Sequence, residues 1–180
     1  MKEINIPKYL QDLHGKKTSL LTLTLTYLSS IATATIITYS IAKQIDMSLW
    51  RVVLTFILIA DISGGIISNY SESTRKYYSE NSKKYLIFIF MHILQPVFFI
   101  IIFQDIRNFF LFMGFYAIFS CLAIYKIRNN EYKRVISSFL FIVGIIITFI
   151  FNIPIDIVKI IPILFFAKLI LAYSNNDEKK

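Results

Sequence analysis

Asp61 and His92 are the two side chains in this sequence whose type and position could do chemistry. Each lies inside an apolar run, where an ionisable group is costly and marks a site. A carboxylate beside an imidazole can serve as orienting partner and general acid or base. It can equally line a binding chamber, or form a structural ion pair that fixes helix register. Around Asp61, the residues Gly65, Ser68, Asn69 and Glu72 follow at i+4, i+7, i+8 and i+11, which is one helical face. Around His92, Gln95 and Pro96 share a face, and Tyr85 lies two turns earlier. Pro96 removes a backbone donor and is expected to kink its helix beside Gln95.

These residues need elements to position them, and composition supplies the class. The 180 residues are 56% hydrophobic and 16% aromatic, with five Gly and four Pro, well above the apolar content of a soluble domain. Six apolar segments can be drawn, over 19–42, 49–68, 85–104, 109–126, 135–151 and 157–174. Each is close to the ~20 residues that cross a bilayer core. The runs are continuous rather than alternating, so helices are expected. The first is longer than a signal-peptide core and is read as retained. The expected fold is therefore an all-α, six-helix integral membrane bundle over 19–174. A short interfacial segment, 1–18, precedes it and a tail, 175–180, follows.

Basic residues orient the bundle. Fourteen fall on one side: four before the first span, four in the loop with Arg75 and Lys76, four in the loop from Lys126 to Arg134, and two in the tail. Four fall on the other, namely Lys43, Arg51, Arg107 and Lys159. The positive-inside rule then places both termini in the cytoplasm, in the cell membrane. On this topology Asp61 lies seven residues, or ~10 Å, before the cytoplasmic end of the second helix. His92 lies seven residues into the third. Consecutive antiparallel helices pack together, so an Asp61–His92 contact is expected.

The expected site is a polar cluster open to the cytoplasmic side and built from Asp61, Asn69, His92 and Gln95. Lys168, in the last segment, is a further member by depth, although snorkelling to the headgroups is its favoured reading. Arg75 and Lys76 are expected to contact headgroups or phosphate, or only to set topology. Ala60, Gly64 and Ser68 form a small-xxx-small stripe for close helix approach. The hydroxyls of Thr22, Thr26, Ser29 and Thr33 share a face of the first helix and are read as packing groups. The single cysteine, Cys121, excludes a disulfide framework and is read as a core thiol.

The net charge of +8 lies in the loops and not along one soluble face. This points to anionic lipid headgroups rather than nucleic acid. No H-E-x-x-H, G-x-S-x-G or Walker A motif occurs, and two histidines cannot build a multi-histidine metal site. No metal site is expected, and no motif names a cofactor. The leading expectation is binding or translocation of a small polar or amphipathic ligand. A membrane enzyme acting on a lipid through a His/Asp pair is the alternative. A third is a non-catalytic partner or immunity-type subunit. Self-association and a partner subunit both remain open.

Overall fold

The computed structural model describes residues 3–79 and 82–172, with the side chains of Ser82, Lys83 and Tyr85 outside the description. The expected tail 175–180 and the Tyr85 side chain therefore lie outside the described residues. The described chain is helical apart from one small ribbon. In order it runs β1 (Glu3–Asn5), α1 (Gln11–His14), β2 (Lys17–Ser19), α2 (Leu20–Ala42), α3 (Leu49–Tyr70), α4 (Glu72–Ser79) and α5 (Ser82–Met91). Then come α6 (Leu94–Ile102), α7 (Arg107–Lys126), α8 (Lys133–Ile150) and α9 (Ile160–Phe166), with a π-helical turn, Ala167–Ala172, after α9.

Among the described residues, four helices are long and apolar enough to cross a membrane: Leu20–Ala42, Leu49–Tyr70, Gln104–Lys126 and Lys133–Ile150. Large apolar side chains cover the outer surface, among them Phe115 at 77% and Ile150 at 74% exposure. An apolar exterior of this extent is solvated by lipid, not water. The inner face buries Phe99, Phe109, Phe110, Phe165 and Phe166 completely. Phe110 stacks on Phe99 at 5.1 Å and on Phe103 at 5.4 Å, which ties α6 to α7.

The other two apolar segments are interrupted. The third expected span breaks at His92–Ile93, between α5 and α6. The cause is Pro96, four residues after His92. It offers no N–H to the His92 carbonyl, and its ring crowds that oxygen. The backbone responds by bifurcating, with His92 N–H shared between Phe88 O at 3.3 Å and Ile89 O at 3.2 Å. The kink thus falls one turn before the proline. The sixth expected span opens as a 3₁₀ turn at Asp156–Lys159 and widens into the π turn at Lys168.

α2 and α3 form the closest pair. Ser30 Oγ donates to Ala60 O at 2.7 Å, and a Cβ on Gly64 would sit 3.2 Å from Ser30. Ala60 and Gly64 of the small-residue stripe therefore pack against the first helix. Ser29 Oγ turns back onto Thr26 O at 3.0 Å, a local bond consistent with a packing role for that hydroxyl face. Cys121 is fully buried.

The N-terminal segment folds as a lobe over one end of the bundle. β1 and β2 pair antiparallel, Ile4 opposite Thr18, and α1 closes between them. Gly15 makes the return with φ +71° and ψ −175°, a region open essentially to glycine alone. The lobe sits on α4, whose N-terminus is capped by Ser71 Oγ accepting from Thr74 N at 3.3 Å. Glu72 in its first turn and Lys76 in its last suit the helix dipole.

His14 holds the lobe against α2. It is 1% exposed, with Nε2 3.1 Å from the Tyr27 hydroxyl and Nδ1 buried without a partner. Burial holds its pKa below the ordinary 6.5. Below about 6.5 the undocked segment takes up a proton that the docked ring resists, so undocking is favoured as pH falls. Docking is fully stable above that pH. Amide exchange across residues 3–19, corrected for intrinsic rate, is expected to be faster at acid pH than at neutral pH. Equal protection at both would refute the coupling.

Candidate functional site

Asp61 sits in mid-α3 on the face turned toward the two interrupted segments. The π turn carries Lys168 inward, where Nζ donates to Asp61 Oδ2 at 2.7 Å and to Asp61 O at 3.2 Å. Gln95, on the first turn of α6, donates through Nε2 to the same Oδ2. Lys168 is 3% exposed, whereas the Asp61 side chain is 47% exposed and opens on a cavity. The snorkelling expected of Lys168 is thus corrected: the widened turn aims its stem across Gly65, where a Cβ would overlap Lys168 Cε and Cδ. Glycine at 65 makes room for the lysine to reach the aspartate.

Asp61 and His92 line the same cavity, but no direct hydrogen bond joins the two. His92 Nδ1 is engaged with the Phe88 carbonyl at 2.7 Å, and its ring packs on Phe88 at 4.2 Å. A carbonyl only accepts, so Nδ1 carries the proton, and in the neutral form of the ring Nε2 is the acceptor. The Pro96 break is the reason: it turns Gln95 toward Asp61 and leaves His92 folded back along α5. His92 nevertheless lines the same cavity.

That cavity has a volume of about 460 Å³. Asp61, Gly65, Asn69, His92 and Lys168 form its polar wall, and Ile87, Phe88 and Met91 its apolar one. Lys84 also lines it, with Nζ 3.5 Å from the centroid of the Tyr77 ring. Asn69 is 5% exposed and its Nδ2 has no hydrogen-bond partner. Gln95 is 7% exposed, with Oε1 likewise unpartnered. Unmet buried donors and acceptors cost free energy unless something satisfies them.

Comparison of the chain with protein-family models, curated proteins and solved structures finds no match. The geometry alone carries the reading.

Sequence reasoning missed the lobe's share of this site. Asp12 and Leu13 complete the wall, together with Tyr78 from α4. Ser68 Oγ and Thr74 Oγ1 both donate to Leu13 O, the latter at 3.1 Å. Tyr78 donates to Asp12 O at 2.9 Å, and Tyr77 to Asp12 Oδ1 at 2.7 Å. Burial, with Asp12 and Tyr77 close by, pushes the Tyr78 phenol well above its ordinary range and keeps it a donor. Gly15 beside a short amphipathic segment was the one available signal of a compact lobe.

Arg75 and Lys76 separate. Lys76 lines a surface recess of about 520 Å³ with Lys16, Lys17, Glu3, Glu72 and Tyr77, so its charge is mixed. Arg75 is half-buried on α4 and is not among the residues lining that recess. Among the described residues, no group of three or more His, Cys, Asp and Glu side chains could hold a metal ion.

Proposed function

We propose that this is a six-span protein of the cell membrane, with both termini cytoplasmic, that binds or translocates a small polar or amphipathic ligand in the Asp61–Lys168 cavity. One observation carries the reading. Two apolar segments are interrupted, and both interruptions deliver a polar side chain to Asp61 beside the same cavity. Irregular backbone at membrane depth is tolerated where protein buries it or it lines a cavity. Discontinuous helices meeting at a midplane site are a recurring design of transporters, and π turns gather at functional sites. A helix pair that needed only packing would gain nothing from these breaks. On this reading Lys16, Lys17 and Lys76 contact anionic headgroups around the lobe.

The enzyme alternative draws on His92. Its Nε2 is left as an acceptor toward the cavity, as a general base requires. In that case the Phe88 carbonyl, and not Asp61, orients the ring.

Reporter fusions test the topology. Fusions within 70–84 and after Lys180 should report cytoplasm, and those near Asp46, Arg107 and Asp156 the outside. An external signal from 70–84 would overturn the orientation. A thermal-shift screen of lipids and small solutes tests the site. A ligand that stabilises the wild type but not the folded double variant Asp61→Ala/Lys168→Met places binding here. One that stabilises both equally places it elsewhere.

A further inference from the structure

We infer that the ligand is a single-chain amphipath with a net-neutral, hydroxyl-bearing head, which reaches the cavity sideways from the leaflet on the lobe side. This rests on the site proposed above and names the class of molecule it takes.

The route comes from the walls. Ile87 and Met91 are four residues apart on α5, and both line the cavity while remaining 61% and 58% exposed on the apolar exterior. They form a greasy sill between cavity and bilayer. The end facing the lobe is polar by contrast. Leu13 and Asp12 lie across it, held by the bonds from Ser68, Thr74, Tyr77 and Tyr78. A molecule already dissolved in the leaflet need only cross the sill to bring its head to the polar wall.

The head comes from charge and hydrogen bonding. Asp61 and Lys168 neutralise each other at 2.7 Å. The lining as a whole holds two carboxylates, Asp12 and Asp61, and two ammonium groups, Lys84 and Lys168, so its formal charge is zero. A charged head would therefore carry an uncompensated ion to membrane depth. What the wall offers is neutral chemistry in both directions. Asn69 Nδ2 is a buried donor without a partner, while Asp61 Oδ1 and His92 Nε2 are acceptors. A hydroxyl both gives and takes a hydrogen bond, so two or three on one head satisfy this set. The cavity's mixed wall then fits one polar head followed by one chain, and its volume is within the usual range for a ligand site.

The test uses the full chain in phosphatidylcholine nanodiscs with a diazirine-bearing monoacylglycerol, and maps the crosslinks by mass spectrometry. Crosslinks should concentrate at Ile87 and Met91. Excess 1-oleoylglycerol should abolish them, while glycerol, oleyl phosphate and oleylamine should not. Asn69→Leu should weaken labelling about tenfold, the loss expected for one buried hydrogen bond. Its melting temperature serves as the folding control. Labelling spread evenly over the outer faces of α2 and α8 would mean annular lipid only and would overturn the inference. So would competition by glycerol, by oleyl phosphate or by oleylamine, although the site itself would stand. Unchanged labelling in the folded Asp61→Ala/Lys168→Met variant would instead remove the site.

Discussion

Asp61→Ala is expected to lower the melting temperature in detergent by an amount on the order of ten degrees, and Lys168→Met by clearly less. The asymmetry follows from burial. Lys168 is 3% exposed and both of its acceptors belong to Asp61. Without the aspartate side chain, a buried ammonium keeps only one carbonyl. Breaking a buried pair in this way costs about 3–5 kcal/mol, and a protein of this size loses roughly 2–4 °C per kcal/mol. The reverse change leaves a carboxylate that opens on the cavity and still accepts from Gln95. The loss there is nearer the ~1–3 kcal/mol of one unsatisfied partner. Replacing both residues should recover most of the stability, because apolar packing substitutes well for a buried pair. Equal losses in the two single variants, or a double variant as unstable as Asp61→Ala, would show that the pair is not the buried partnership described.

The second large effect is expected at Gly15. Gly15→Ala should undock the N-terminal lobe while leaving the membrane helices folded. Its backbone, at φ +71° and ψ −175°, excludes a side chain at a cost of about 1–3 kcal/mol. A Cβ there would also overlap the Ser73 backbone of α4. The lobe is small and is held by a handful of hydrogen bonds, so that sum is enough to free it. Limited proteolysis should cut the variant within residues 3–19 while the rest of the chain resists. A cysteine at Asn69, in a Cys121→Ala background, should become reactive to a water-soluble maleimide only in the variant. If cleavage and thiol reactivity match the wild type, the lobe is not held by this turn.

Much of the scaffold is legible in the sequence. The runs 19–42, 49–68, 109–126 and 135–151 correspond to α2, α3, α7 and α8 within a few residues, because an unbroken apolar run has few alternatives to a helix. The interrupted segments were legible only in composition. Pro96 announced a kink, but the direction in which the freed turn settles depends on what α3 presents to it. Lys168 was hardest, since its partner lies 107 residues away and nothing local separates a snorkelling lysine from a paired one. Asp61 and Gln95 were both singled out, yet depth alone paired Asp61 with His92. Depth fixes height along a helix and says nothing of azimuth. The lobe escaped in good part because three of its docking bonds go to the backbone carbonyls of Asp12 and Leu13, which carry no side-chain signature.

The break at His92–Ile93 also sets how the bundle can flex. Below it, α5 leans on α4 and α7. Above it, α6 is clamped to α7 through Phe99 and Phe110. The turn between them has lost its regular ladder, so any tilting of α5 would pivot there. His92, on the cavity wall, and Gln95, on Asp61, flank the pivot. Angle and occupancy are then one mechanical coordinate: whatever fills the space beside His92 wedges α5 at a given tilt, and whatever tilts α5 resizes the space.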